Sequence, residues 1–135
     1  MVRVDAPGDQ TGVEADAAFT NVPGARVAVR TADCVPIVLE GDGCVGIVHA
    51  GWRGLAAGVV AATIDAMGGA TSAVVGPHIR PGCYEFGADD LDEVAAALGP
   101  HVRNTTTWGT PALDLTAAVV DEAMGLVRQY CRKRK

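Results

Sequence analysis

The chain has 135 residues, 49% of them apolar, and a formal net charge of −5. That size is one ordinary domain with one core, and the acidic balance argues against a nucleic-acid partner, which calls for a basic face. No apolar run approaches the roughly 18–20 residues that span a bilayer, so no membrane partner is expected either. The first ten residues lack the apolar stretch of a signal peptide. Aromatic residues are scarce, two each of Trp, Tyr and Phe. The core must therefore be built from Val, Ala, Leu and Ile. Cys34, Cys44, Cys83 and Cys131 form no CxxC pair, which predicts free thiols in a reducing cytoplasm.

Asp, Gly and Pro make residues 5–15 a predicted loop, followed by a short strand over 17–20. Asn21-Val22-Pro23-Gly24 is a turn signal, Pro pre-setting φ and Gly accepting a positive one. Val27 and Val29, then Val35, Ile37 and Leu39, fall at alternate positions, which is strand periodicity. Gly41-Asp42-Gly43 turns the chain, and residues 44–50 return it as an almost wholly apolar strand. The pair reads as a buried hairpin with Cys44 in the core.

From Gly54 to Met67 the apolar residues recur at helical spacing, and Gly68-Gly69 supplies a stop. Residues 72–75 read as a strand cut by Gly76-Pro77. Asp89-Asp90 is expected to cap a helix running through Ala97, its carboxylates suiting the positive end. A polar loop is expected over 104–109, and Pro111 is expected to open a final helix towards Tyr130. The basic tail over 131–135 reads as a solvated terminus. With no repeat and no dividing linker, residues 1–135 are expected to form a single α+β domain, mixed β-sheets flanked by helices.

Chemistry concentrates in two places. Thr31-Ala32-Asp33-Cys34 interrupts an apolar strand pattern, where a core strand gains nothing from Asp33. His49 ends the strand over 44–50 and is followed by Gly51-Trp52-Arg53-Gly54, a strand-to-helix turn that lets backbone approach a ligand. A lone Cys is often a small buried hydrophobe, and a lone His is often a boundary residue. On neighbouring strand ends the pair is either two zinc ligands or a nucleophile with its base. Arg53 sits where the helix dipole disfavours a cation, a position that makes sense beside a bound anion such as phosphate. Arg30 is a weaker candidate for the same task. Cys83 lies in a loop whose Tyr84 and Glu85 are within reach of a substrate, and His101 reads as solvated.

The blocks EADAAFT, TADCVPIVL, VHAGWRGL and VVGPHIRPGCYEFG together resemble the YfiH-like family, over about Glu14 to Leu115. Its members carry the label polyphenol oxidase/laccase and are understood as zinc-dependent purine nucleoside phosphorylases with adenosine deaminase side activity. The resemblance implies a layered α/β/β/α fold. It also implies conversion of adenosine or inosine and phosphate to free purine and ribose 1-phosphate, with methylthioadenosine phosphorolysis as a possible companion. Cys34 and His49 would be zinc ligands; Cys34, His49, Asp33 and Arg53 would be the catalytic set; Arg30, Arg53, Tyr84 and Glu85 would contact substrate. The family's third ligand is a His in a Gln-Val-His-Gly block upstream of the region matching this chain's start. Met1 to Asp5 looks like the sequence that follows such a block.

The family's C-terminal CT and SYRR blocks find no match either, so the chain corresponds to the middle of the fold. A third ligand would then come from His78, His101, another subunit in a homo-oligomer, or solvent, although His78 occupies a variable position of its block. Two other classes stay open. One is a metal-free Cys34–His49 hydrolase or deamidase, resembling the deamidase toxins of the cytotoxic necrotizing factor group. The other is a catalytically weak fragment that serves as an interaction subunit. Several coppers are not expected, because three histidines are too few for a multicopper cluster.

Overall fold

The alternating aliphatic residues of Val35–Gly41 and Cys44–Ala50 do form an antiparallel hairpin, Val35 opposite Ala50 through to Gly41 opposite Cys44. A computed structural model describes residues 1–10 and 12–133, and the hairpin is its centre. With Val2–Arg3 as β1, Ala17–Thr20 as β2, the hairpin strands as β3 and β4, and Ser72–Val75 as β5, the sheet order is β1-β2-β4-β3-β5. Only the β1–β2 pair is parallel, so the sheet is mixed.

Period-two alternation sends Val35, Ile37, Leu39, Val48 and Ala50 to one face, where all are buried. Four helices supply the other half of that core: α1 (Trp52–Ala56), α2 (Val59–Ala66), α3 (Ala88–Leu98) and α4 (Leu115–Lys133). Leu55, Val60, Val94 and Val119 join the sheet residues in one cluster. Each fully buried side chain of this size stabilises by about 1.5–3 kcal/mol. The opposite face leaves Val38 and its partner Val74 exposed. A small second sheet pairs β6 (Arg103–Thr105) with β7 (Pro111–Leu113). The architecture is α+β, as the sequence pattern indicates. No helix among the described residues is long and apolar enough to cross a membrane.

Several local expectations need correction. The helix expected over 54–67 is two helices, because Gly58 takes a left-handed conformation (φ 76°) that ends α1 and starts α2. Asp89 and Asp90 lie inside the first turn of α3, whose N-cap is Gly87. Pro111 does not open a helix; it begins the short strand β7, a position where its missing N–H costs no ladder bond. α4 begins after Asp114, whose Oδ1 accepts the Ala117 N–H at 3.0 Å in N-cap fashion. The polar stretch after Asn104 is the tip of the β6–β7 hairpin rather than a free loop. Val27 and Val29 lie in an extended segment that pairs with no strand.

Cys44 is half-buried at the end of β4, not in the core. His101 is exposed, as expected, with its Nε2 3.4 Å from the exposed Asp121 Oδ2. In the basic tail, Cys131 packs against the core and Arg132 ends exposed; Arg134 and Lys135 lie outside the described residues, as does Thr11 in the predicted loop.

Gly69, the expected stop after α2, has a stricter role. Its φ is 121°, and a Cβ there would fall 1.8 Å from the Tyr130 ring of α4. Gly69→Ala is expected to lower unfolding stability by about 2 kcal/mol or more, combining overpacking with an unfavourable backbone angle. Urea denaturation of the purified variant measures it. An unchanged midpoint would show that α4 does not seat on this turn.

Candidate functional site

Cys34 immediately precedes β3 and His49 sits on β4 opposite Pro36, so the ladder brings the two to one end of the hairpin. Between them lies Gly51. A Cβ built there would be 3.3 Å from Cys34 Sγ and 3.8 Å from His49 Nε2, so the thiol and the ring nitrogen border one small space that only a glycine leaves open. The other ring nitrogen, Nδ1, is 3.0 Å from Asp16 Oδ1, and the His49 N–H donates to the Asp16 carbonyl at 2.7 Å. Asp16 therefore fixes both ends of His49 and leaves Nε2 facing Cys34. Asp16 falls within EADAAFT, where the sequence alone assigns it no role. Its signal was an acidic residue directly before a strand.

Asp16, Cys34, His49, Gly51, Trp52, Arg53, Gly54 and Tyr84 line a cavity of about 360 Å³. Arg53 is exposed, stacks its guanidinium 4.2 Å from the Trp52 ring centre, and has no ion pair among the described residues. Trp52 meets Phe86 edge-on, and Phe86 meets Tyr84 the same way. These contacts give the cavity a rigid aromatic wall. Burial pushes the Tyr84 hydroxyl up, with Cys34 and Asp33 adding to the rise and Arg53 opposing it. Asp33 is exposed beside the thiol, and its carbonyl anchors the Ile79 N–H of the neighbouring loop.

Three expected residues stand apart, Asp33 being the first, since it does not line this cavity. Arg30 lines a second, larger cavity of about 640 Å³ that adjoins the first across Asp16 and His49. Glu85 is exposed, and its backbone bridges to Ala112 rather than lining the cavity. Trp52, by contrast, is a wall residue that the sequence reading used only as part of a turn.

Burial raises the Cys34 thiol above its ordinary value, and the Asp33 and Asp16 carboxylates raise it further. A nucleophilic cysteine needs the reverse, a pKa depressed by nearby positive charge. The metal-free hydrolase reading gains nothing from this environment. Because the thiolate is the reactive form, a raised pKa means little thiolate at pH 7 and a rate that climbs only as pH passes the raised value. In metal-free protein, iodoacetamide should label Cys34 with a midpoint above that of N-acetylcysteine, followed peptide by peptide by mass spectrometry. A midpoint below the free thiol's would restore the activated-nucleophile reading.

Zinc takes thiolate and neutral imidazole, and a ligating His commonly has its second nitrogen bound to a carboxylate. Cys34, His49 and Asp16 fit that pattern in kind, around a space that a Cβ at Gly51 would fill. They provide two ligands where a catalytic zinc usually has three. No group of three His, Cys, Asp or Glu side chains stands ready for a metal among the described residues. His78 is engaged at both nitrogens, with the Gly76 carbonyl and Thr116 Oγ1, each at 2.8 Å. His101 faces Asp121 in a different cavity.

A thiol and a carboxylate-held imidazole thus meet at the strand ends of a mixed sheet, beside a guanidinium that has no ion pair among the described residues. The chain belongs to the family described as multi-copper polyphenol oxidoreductase laccase, whose pattern matches residues 1–128. Among curated relatives, a purine nucleoside phosphorylase of Streptomyces coelicolor is 44% identical over 125 residues, covering 86% of this chain and 51% of the relative. One from Aquifex aeolicus is 45% identical over 85 residues, covering 60% of this chain and 41% of the relative. The fold resembles YlmD from Geobacillus stearothermophilus, with TM-score 0.74, 27% identity and coverage of 94% of this chain and 55% of that one. It also resembles the Bacillus licheniformis hypothetical protein YfiH, with TM-score 0.71, 28% identity and coverage of 82% and 46%. The chain spans about half the length of the curated relatives it matches.

Proposed function

We propose that the Cys34–His49–Arg53 cavity carries out phosphorolysis of purine nucleosides such as adenosine and inosine with a zinc ion held by Cys34 and His49. The observation that supports this reading most is the convergence, in one cavity, of a paired-off imidazole, a thiol and a guanidinium with no carboxylate partner among the described residues. Arg53 binds the phosphate dianion, and its stacking on Trp52 holds the guanidinium in place. Tyr84 and Trp52 give the purine a flat apolar wall. A phosphate oxygen forms a bond to ribose C1′ as the C1′–N9 bond breaks, and the base leaves with the electron pair and takes up a proton. Asp33, exposed and next in the chain to Cys34, orients a ribose hydroxyl or holds that proton. Asp16 holds the ring at Nδ1, which leaves Nε2 as the nitrogen available to a ligand.

When bound, zinc supplies Lewis acidity towards a substrate oxygen or a water. That chemistry suits adenosine deamination and methylthioadenosine phosphorolysis as side activities of the same cavity. Multicopper oxidation fits the residues poorly, since one imidazole faces the site and the other two histidines are engaged elsewhere. The setting proposed is the cytoplasm. Zinc-loaded protein with inosine and phosphate should release hypoxanthine and ribose 1-phosphate in equal amounts, and neither when phosphate is omitted. Free ribose formed without phosphate would replace the reading with hydrolysis. No base release under any condition would remove it.

A further inference from the structure

A short turn outside the cavity grips the segment that carries Cys34. The Gly76 N–H donates to the Pro36 carbonyl and the Ile79 N–H donates to the Asp33 carbonyl, each at 2.9 Å. Cys34 and Val35 lie between those two carbonyls, so residues 76–79 clamp the stretch that presents the thiol. A Cβ on Gly76 would fall 2.7 Å from the Pro36 ring, so the two segments approach as closely as a glycine allows. Among the described residues no main-chain bond closes this turn on itself. His78 closes it instead. The Gly76 carbonyl can only accept, so His78 Nδ1 donates to it at 2.8 Å. Nε2 then accepts the Thr116 hydroxyl at 2.8 Å, and the Thr116 oxygen accepts Arg80 Nη1 at 3.1 Å. Thr116 stands in the first turn of α4, so one imidazole ties the clamp to a core helix.

We infer that His78 and Thr116 are positioning residues for the Cys34 thiol, acting through the Gly76–Ile79 clamp. Neither side chain lines the cavity that holds Cys34 and His49. Their effect is on where Sγ sits relative to His49 Nε2. A turn without main-chain closure takes its shape from the side chain that bridges it. Without the imidazole bonds, the two clamp bonds lose their alignment and residues 33–36 open locally. The Thr116 hydroxyl is free for this task, because Asp114 already caps α4 through the Ala117 N–H. The consequence for zinc and for phosphorolysis rests on the function proposed above, whereas the clamp itself does not.

The test labels the whole, metal-stripped chain with iodoacetamide and follows each cysteine peptide by mass spectrometry. Thr116→Val keeps the side chain's shape and removes its hydroxyl. His78→Asn keeps a donor near the Gly76 carbonyl and loses the reach to Thr116. Either variant decides the matter if the other fails to fold. Cys34 should label at least about fivefold faster in them, the worth of roughly one lost hydrogen bond, while Cys44 and Cys131 keep their parent rates. Thr116→Ser should restore the parent rate at Cys34. Zinc affinity should fall about tenfold or more in the same two variants and recover in Thr116→Ser. Unchanged Cys34 labelling in a folded variant would overturn the proposal. So would equal acceleration at Cys34, Cys44 and Cys131, which would make the His78–Thr116 bond a general support of the fold. A parent chain that binds no zinc would remove the function proposed above and leave labelling alone to decide the clamp.

Discussion

Replacing Cys34 with alanine is expected to leave the sheet intact and to lower zinc-dependent base release by at least about a hundredfold. Loss of a mere outer-sphere partner already costs about 10–100-fold in metal affinity or activity, and Cys34 is the only thiol lining the cavity among the described residues. The fold should survive because Cys34 lies before β3 rather than within its buried row, and is only partly covered. Circular dichroism and urea midpoint provide the control, and inosine phosphorolysis with added zinc provides the readout. Full activity in Cys34→Ala would remove the thiol from the chemistry and favour an account in which the chain serves as an interaction subunit.

Arg53→Ala is expected to act on a different quantity. A hydrogen bond to a charged group contributes about 1.5–3 kcal/mol, so the KM for phosphate should rise about 10–100-fold while the KM for nucleoside changes little. Arg53→Lys should recover part of the loss, because it restores charge without the two-pronged geometry or the flat stacking on Trp52. Zinc content should be unchanged in both variants. Equal effects on both substrates would place Arg53 in general cavity shape rather than at the phosphate.

The central hairpin was legible because aliphatic residues alternate through 35–39 and 44–50 and a Gly-Asp-Gly turn joins them. Cys34 and His49 were legible as a pair for the same reason: fixing the register of the hairpin fixes their proximity. Asp16 was not, since its bond to His49 spans 33 positions and crosses between strands whose pairing has no local signal. Gly58 could be read as a permitted interruption of a helix or as its end, and only the left-handed backbone decides. Pro111 looked like the start of the last helix, but pairing of β7 with β6 places it in a strand, and the helix begins after Asp114. Arg30 looked like a weaker second candidate beside Arg53, a cation near a strand end. The structure puts His49 and Asp16 between them, a separation that no spacing in the sequence expresses. Val27 and Val29 carry a true strand period, but a ladder also needs a partner.

Zinc titration of metal-stripped protein against a chromophoric chelator, with Cys34→Ala and His49→Ala beside the parent, tests the central claim most directly. Binding of one zinc per parent chain, lost in both variants, is the predicted result. No stoichiometric zinc in the parent, or the same uptake in either variant, would contradict it.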